Sequence, residues 1–250
     1  MWNRPQLMKA VADLLLMASA MALLAVVVVW VARLPLLPIR EVVIAERLKE
    51  VTYGEIERSL SESLRGNFFS VDLERIRLSL ERLAWVRRAE IHRQWPADIK
   101  VKIEEHVPVA LWGQEAGQLV NSYGEVFTAE IQVLSDKTLP TLSGPGGFVP
   151  EILEVYQQAV ELLEPIGRWP KALSMSPRLA LQLTLDDGII VELGRSQAKA
   201  PIHERLKRFA THYPAVSNTV PQQPGVVDMR YPQGFALRAA VPETESKGTP

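Results

Sequence analysis

Cysteine is absent from the 250 residues. That absence removes a disulfide framework, a thiolate zinc site, an iron–sulfur cluster and a cysteine nucleophile. Charge of one sign is also scarce. The 28 Lys and Arg against 29 Asp and Glu leave a formal net charge of −1, whereas a general nucleic-acid binder needs a strong basic surplus. Catalytic patterns are missing as well. No Gly-x-Ser-x-Gly elbow occurs, and Gly144-Pro145-Gly146-Gly147 lacks the Lys-Ser/Thr of a phosphate loop. His92, His106, His203 and His212 have no His, Asp or Glu at metal-ligand spacing and read as surface or satisfied histidines. Glu104 and Glu105 are adjacent at a strand end and point to opposite faces, so they make no carboxylate pair. Arg205, Lys207 and Arg208 read as a solvated basic helix face. The expectation is a non-enzymatic chain with no catalytic residue, metal or cofactor.

What is present excludes disorder. Hydrophobic residues make up 47% of the chain and charged residues 23%, enough apolar surface for a core. The length allows one large domain or two small ones. The apolar residues are unevenly spread. In residues 14–32 only Ser19 is polar, and as a helix that run reaches about 28 Å, close to the hydrocarbon thickness of a bilayer. A buried core helix rarely lacks a polar face over such a length. Ala18-Ser19-Ala20 has the small-x-small look of a signal-peptidase site, but only residues 14–17 precede it as an apolar region. The segment therefore reads as an uncleaved anchor, with a span at 13–33. Arg4 and Lys9 before it balance Arg33 and Arg40 after it. The bulk of the chain on the far side breaks the tie: a cytoplasmic tail at 1–12 and an exported remainder. A cysteine-free remainder is compatible with a periplasmic location.

After a stiff connector, Leu34-Pro35-Leu36-Leu37-Pro38, residues 39–44 read as a strand. Thr52 and Glu55 have capping-box spacing, and Ile56, Leu60 and Leu64 form the stripe of a helix that Gly66 stops. Asp72 is an N-cap candidate for a second helix with Leu73, Ile76, Leu80 and Leu83. A strand over 86–93 follows, with Val86, Ala89 and Ile91 inward. Ile99, Val101 and Ile103 then alternate with Lys100, Lys102 and Glu104. Two helices on a three-stranded sheet make a small α+β domain, assigned to residues 39–112.

Residues 113–240 read as a second, mixed β domain with flanking helices. Strands at 118–121 and 126–128 flank Ser122-Tyr123-Gly124, a further strand falls at 140–142, and a helix covers 150–165. Strands at 179–185 and 189–193 flank Asp186-Asp187-Gly188, a strong hairpin turn. Ser196 is taken as the cap of a helix that Pro214 ends. Strands at 226–230 and 235–239 close the domain, and 241–250 is a polar, disordered tail. Core packing and turn filling account for Trp95 and Trp112. The segment 231–237 stands apart, because a terminal strand often forms a sheet edge with unpaired backbone groups.

The motifs Arg93-Gln94-Trp95-Pro96, Ile99-Lys100-Val101-Lys102-Ile103, the run from Glu105 to Trp112, Leu193-Gly194-Arg195 and the run from Val227 to Ala236 resemble the FtsQ/DivIB family of bacterial cell-division proteins. The resemblance covers nearly the whole chain and rests on the order and spacing of motifs. It implies an α+β protein: one transmembrane helix, a POTRA domain, then the β domain. It implies a divisome scaffold in the inner membrane, at the septum, linking early and late division proteins and contributing to control of septal cell-wall synthesis. The implied partners are FtsB and FtsL, bound through the last strand, with FtsK at the POTRA domain and FtsW and FtsI among the others. The implied FtsB contacts are Arg195, Arg230, Tyr231, Gln233, Gly234, Phe235 and Leu237. Some members carry a Trp just after the last strand, where this chain has Ala239. Two rival readings are weaker. A POTRA-containing accessory of a transport system would be followed by a barrel of at least about eight spanning strands, and residues 113–240 show short strands and two helices. A cell-wall hydrolase would need a catalytic constellation that the sequence lacks.

Overall fold

The computed structural model describes residues 5–33, 39–44, 47–64, 66–130, 139–198, 200–217, 224–231 and 234–239. The chain divides into two units, Met1–Glu105 and His106–Pro250. The expected disordered tail at 241–250, the connector at 34–38 and Gln233 lie outside the described residues.

Helix α1, Pro5–Arg33, opens the first unit. Its Met8–Trp30 segment is a candidate membrane span of 23 residues with mean hydropathy 2.5, and its side chains are exposed throughout. The helix begins well before the expected span at 13. Pro5 sits at its first position, where a missing N–H costs nothing, and nothing in the next residues breaks it. Most of the expected short tail is therefore helical.

The rest of the first unit is β1 (Val42–Ile44), α2 (Tyr53–Ser63), α3 (Leu73–Leu80), β2 (Val86–Gln94) and β3 (Asp98–Glu105). The sheet order is β1-β3-β2, with β1 parallel and β2 antiparallel to the central β3. The capping box forms as the sequence requires: the Thr52 hydroxyl accepts from the Glu55 amide and the Glu55 carboxylate accepts from the Thr52 amide. Asp72 likewise caps α3 through the Arg75 amide. Ile99, Val101 and Ile103 are buried, as the period-two pattern demands. Val86 and Ala89 both point inward despite their odd spacing, because the β2–β3 register shifts between Val86 and Arg88. Glu105 faces the loop before α2, where its carboxylate accepts from the amides of Lys49, Glu50 and Val51 at 2.8–2.9 Å.

In the second unit a nine-stranded sheet runs β12-β11-β10-β9-β8-β7-β4-β5-β6. Its strands are β4 (Pro108–Trp112), β5 (Gln118–Asn121), β6 (Val126–Thr128), β7 (Thr141–Ser143), β8 (Pro170–Met175), β9 (Ala180–Leu185), β10 (Ile190–Arg195), β11 (Pro224–Asp228) and β12 (Ala236–Ala239). Helices α4 (Val149–Leu163) and α5 (Ile202–Ser217) supply Ile152, Leu163, Leu206 and Phe209 to a core shared with Leu173, Leu183, Val191 and Val227. The sheet is open, with β12 and β6 at its two ends.

Four expectations change here. The boundary at 112 moves to Glu105/His106, because β4 pairs with β5 and β7 in the second sheet. Strand β8 was not anticipated; Pro170 and Lys171 obscure its alternation. Helix α5 starts at Ile202 instead of after Ser196, since Pro201 offers the first helical carbonyl, to the Arg205 amide. Finally, α5 runs through Pro214 to Ser217; the lost N–H bond falls in its last turn, where little helix remains to be disrupted.

Candidate functional site

The chemistry-bearing residues of the second unit gather where β10 and β11 end and β12 returns. Strand β12 pairs antiparallel with β11, Leu237 opposite Val227 and Ala236 opposite Asp228. Leu237 is half-buried against the core, as is Phe235 just before the strand. These two side chains seat the strand on its own domain. The other edge of β12 has no strand partner among the described residues.

The opposite face carries charge. Arg230 makes two bonds to Asp228, Nε to Oδ1 at 2.8 Å and Nη2 to Oδ2 at 2.5 Å, and its Nη2 is 3.1 Å from a Glu192 oxygen. Arg238 on β12 holds the other Glu192 oxygen at 2.7 Å. The Arg230 guanidinium keeps the buried Asp228 carboxyl below the usual carboxylate range, and the same contact pushes the Arg230 guanidinium up.

Gly194 explains how Arg230 reaches this position. It sits at a register shift of β10 with φ +71°, and a Cβ there would stand 2.9 Å from the Arg230 Cγ. Arg195 follows it with an exposed side chain and no ion pair among the described residues. It borders a groove of about 470 Å³ lined by Phe148, Val155, Leu179 and Ile202 and rimmed by Glu151 and Glu154.

The reading of Arg205 and Arg208 as a solvated face is overturned. Arg205 is 3% exposed and donates to the carbonyls of Leu193 and Arg195, the latter at 2.9 Å. Burial, and secondarily Arg208, lowers its pKa. Arg208, one turn further along α5, donates to the carbonyls of Met229 at 3.3 Å and Tyr231 at 2.9 Å. One helix thus fixes the backbone of both Arg195 and Tyr231. The Tyr231 residue is 56% exposed, and Gly234 has open space where a Cβ would be. The structure brings Arg195, Arg230 and Tyr231 to one end of the sheet, with Phe235 and Leu237 turned to the core. Sequence reasoning missed Glu192, Arg205, Arg208 and Asp228. Arg at i and i+3 on a helix, and Asp and Arg at i and i+2 in and after a strand, were the available signals. Among the described residues no cluster of His, Asp and Glu is placed to hold a metal.

One candidate apolar span, a small α+β domain and an open-ended sheet define the class: a two-domain protein behind a candidate N-terminal membrane span. Residues 37–106 match the family model described as POTRA domain, FtsQ-type, and residues 110–230 match Cell division protein FtsQ/DivIB, C-terminal. The chain is 36% identical over 243 residues to the cell division protein FtsQ of Nitrosospira multiformis, covering 95% of this chain and 99% of that one. It is 33% identical over 240 residues to FtsQ of Burkholderia pseudomallei, covering 96% and 95%. This protein belongs to the FtsQ/DivIB family of cell division proteins.

Proposed function

We propose that the chain is a non-enzymatic scaffold of the division machinery, anchored in the inner membrane at the septum. Its N-terminus is cytoplasmic and residues 39–250 are periplasmic. The second domain binds FtsB, with FtsL, by accepting a strand along β12, and the POTRA domain takes FtsK. FtsW and FtsI join through the assembled complex, which places the protein in the control of septal wall synthesis. The observation that carries this reading is the outer edge of β12, unpaired among the described residues. An added strand gains main-chain hydrogen bonds there, and neighbouring side chains select it. Arg195, Arg230 and Tyr231 are the exposed members of the expected set among the described residues. Arg230 is already paired with Asp228 and Glu192, so Arg195 and Tyr231 are the contacts that a partner meets first. Arg195 offers a two-pronged bond to an acidic residue. Gln233 and Gly234 precede the strand in sequence, and Ala239 leaves the far end of β12 without an aromatic anchor. Arg230 supports the site through its ion pairs with Asp228 and Glu192, and Phe235 and Leu237 support it from the core side.

The test is capture of the full chain in detergent by an immobilised periplasmic segment of FtsB. Tyr231→Ala and Arg195→Glu each weaken capture, with a loss of about 2 kcal/mol or more for a hot-spot residue. Thermal unfolding stays nearly unchanged. Parental binding by both variants overturns the reading.

A further inference from the structure

Trp95 does not fill the core or a turn. It is 85% exposed at the β2–β3 connection, although tryptophan is on average among the more buried side chains. A second aromatic stands at the same end of the POTRA domain. Phe69 is 57% exposed, and its loop is tied to the end of β2 through Arg93. The Arg93 guanidinium donates to the carbonyls of Phe68 at 2.9 Å, Phe69 at 3.3 Å and Val71 at 2.9 Å. Arg93 and Trp95 are two residues apart, so the end of the strand carries both.

The same end is where the chain arrives from the span. The Arg40 amide donates to the Ala97 carbonyl at 3.0 Å, two residues beyond Trp95. Helix α1 ends at Arg33. Six residues separate Arg33 from Arg40, and the seven Cα-to-Cα steps between them reach about 25 Å at most. The chain therefore enters the Trp95 end of the domain within about 25 Å of the end of α1, whatever path the connector follows. Five of those residues are Leu or Pro, so the tether carries no charge of its own to hold it in water. The headgroup layer is roughly 5–8 Å deep on each side of the hydrocarbon, and Trp is the side chain most at home there, with an apolar ring and one N–H for water or a carbonyl.

We propose that Trp95, together with Phe69, rests in the interfacial layer of the membrane that the chain's own helix crosses. This is a lipid contact additional to the span, and it limits how the POTRA domain is aimed. It does not depend on FtsB binding. Exposed Arg40 and Glu41 sit next to each other at this end, so zwitterionic lipid suffices and no anionic headgroup is required.

The experiment uses the full chain reconstituted in phosphatidylcholine liposomes. Trp2→Phe and Trp30→Phe remove the tryptophans of the N-terminal segment, leaving Trp85, Trp95, Trp112 and Trp169. Lipid brominated in its upper acyl chain quenches indole emission only at short range. The expected result is weaker emission in brominated than in unbrominated liposomes, with most of that difference gone on adding Trp95→Ala. A second measurement does not alter Trp95. The chain has no cysteine, so Gln94→Cys gives a single thiol for a polarity-sensitive dye, whose emission in full-chain liposomes should lie to the blue of the same dye at Lys171→Cys, an exposed position of the second unit. Equal quenching with and without Trp95, together with a dye that reports water in liposomes, overturns the proposal. Protection that appears only when another division protein is added overturns it too, because it assigns Trp95 to a protein contact.

Discussion

Arg230 closes on Asp228 two residues before it, through Nε–Oδ1 and Nη2–Oδ2 contacts of 2.8 and 2.5 Å. The carboxylate is buried and the guanidinium is largely exposed. An arginine expected as a partner contact is thus already engaged within its own domain, and this separates its role from that of Arg195.

Arg230→Ala should lower stability before it touches binding. It leaves a buried carboxylate without its main partner, a change that costs about 1–3 kcal/mol for a buried acceptor and more for a charge. Urea unfolding of the variant checks this. An unchanged midpoint would show that Asp228 finds water or another donor.

The pair also makes stability depend on acid. The folded pKa of Asp228 lies below its ordinary value, chiefly through the Arg230 hydrogen bond. Its contribution is present above the unfolded value of about 3.9 and is lost as pH falls through the folded value. Parent and Asp228→Asn should differ in melting temperature at pH 7, and the gap should close as pH drops below about 4. A constant gap would assign the effect to shape instead of charge.

Arg205→Met should be one of the costlier single changes on α5. It strips the Leu193 and Arg195 carbonyls of a shared donor, at about 1–3 kcal/mol. Lys207→Ala, on an exposed neighbour, should stay within about 0.5 kcal/mol. Equal effects in chemical unfolding would restore the picture of a solvated basic face.

Gly194→Ala combines two faults. The residue holds φ +71° and its Cβ would meet the Arg230 side chain at 2.9 Å. The left-handed conformation alone costs about 1–2 kcal/mol. The variant should melt earlier than the parent and capture FtsB less well, because the segments bearing Arg195 and Tyr231 are displaced together.

The domain boundary can be tested in fragments. A piece covering 39–105 should fold as well as one covering 39–112, since the partners of β4 all lie beyond His106. Circular dichroism of the two pieces decides this; a large gain from 106–112 would place β4 with the POTRA domain.

Much of this protein was legible along the chain because the governing interactions are local. The apolar run of α1, the Thr52–Glu55 box, the Asp72 cap, the alternation at Ile99, Val101 and Ile103 and the Asp186-Asp187-Gly188 turn each depend on residues within a few positions of one another. The motif order pointed to the family for the same reason. Contacts between distant segments were decided only in three dimensions. Pairing with β5 and β7 made β4 part of the second sheet, and packing of α5 against the ends of β10 and β11 turned Arg205 and Arg208 from surface charges into clamps on four carbonyls. The tertiary arrangement also left Trp95 in the open at the end of the domain where the chain arrives from the span, because the turn before β3 that holds Ala97 pairs with Arg40. Such relationships carry no period in the sequence: whether an arginine is solvated or buried depends on which carbonyls the fold brings within its reach.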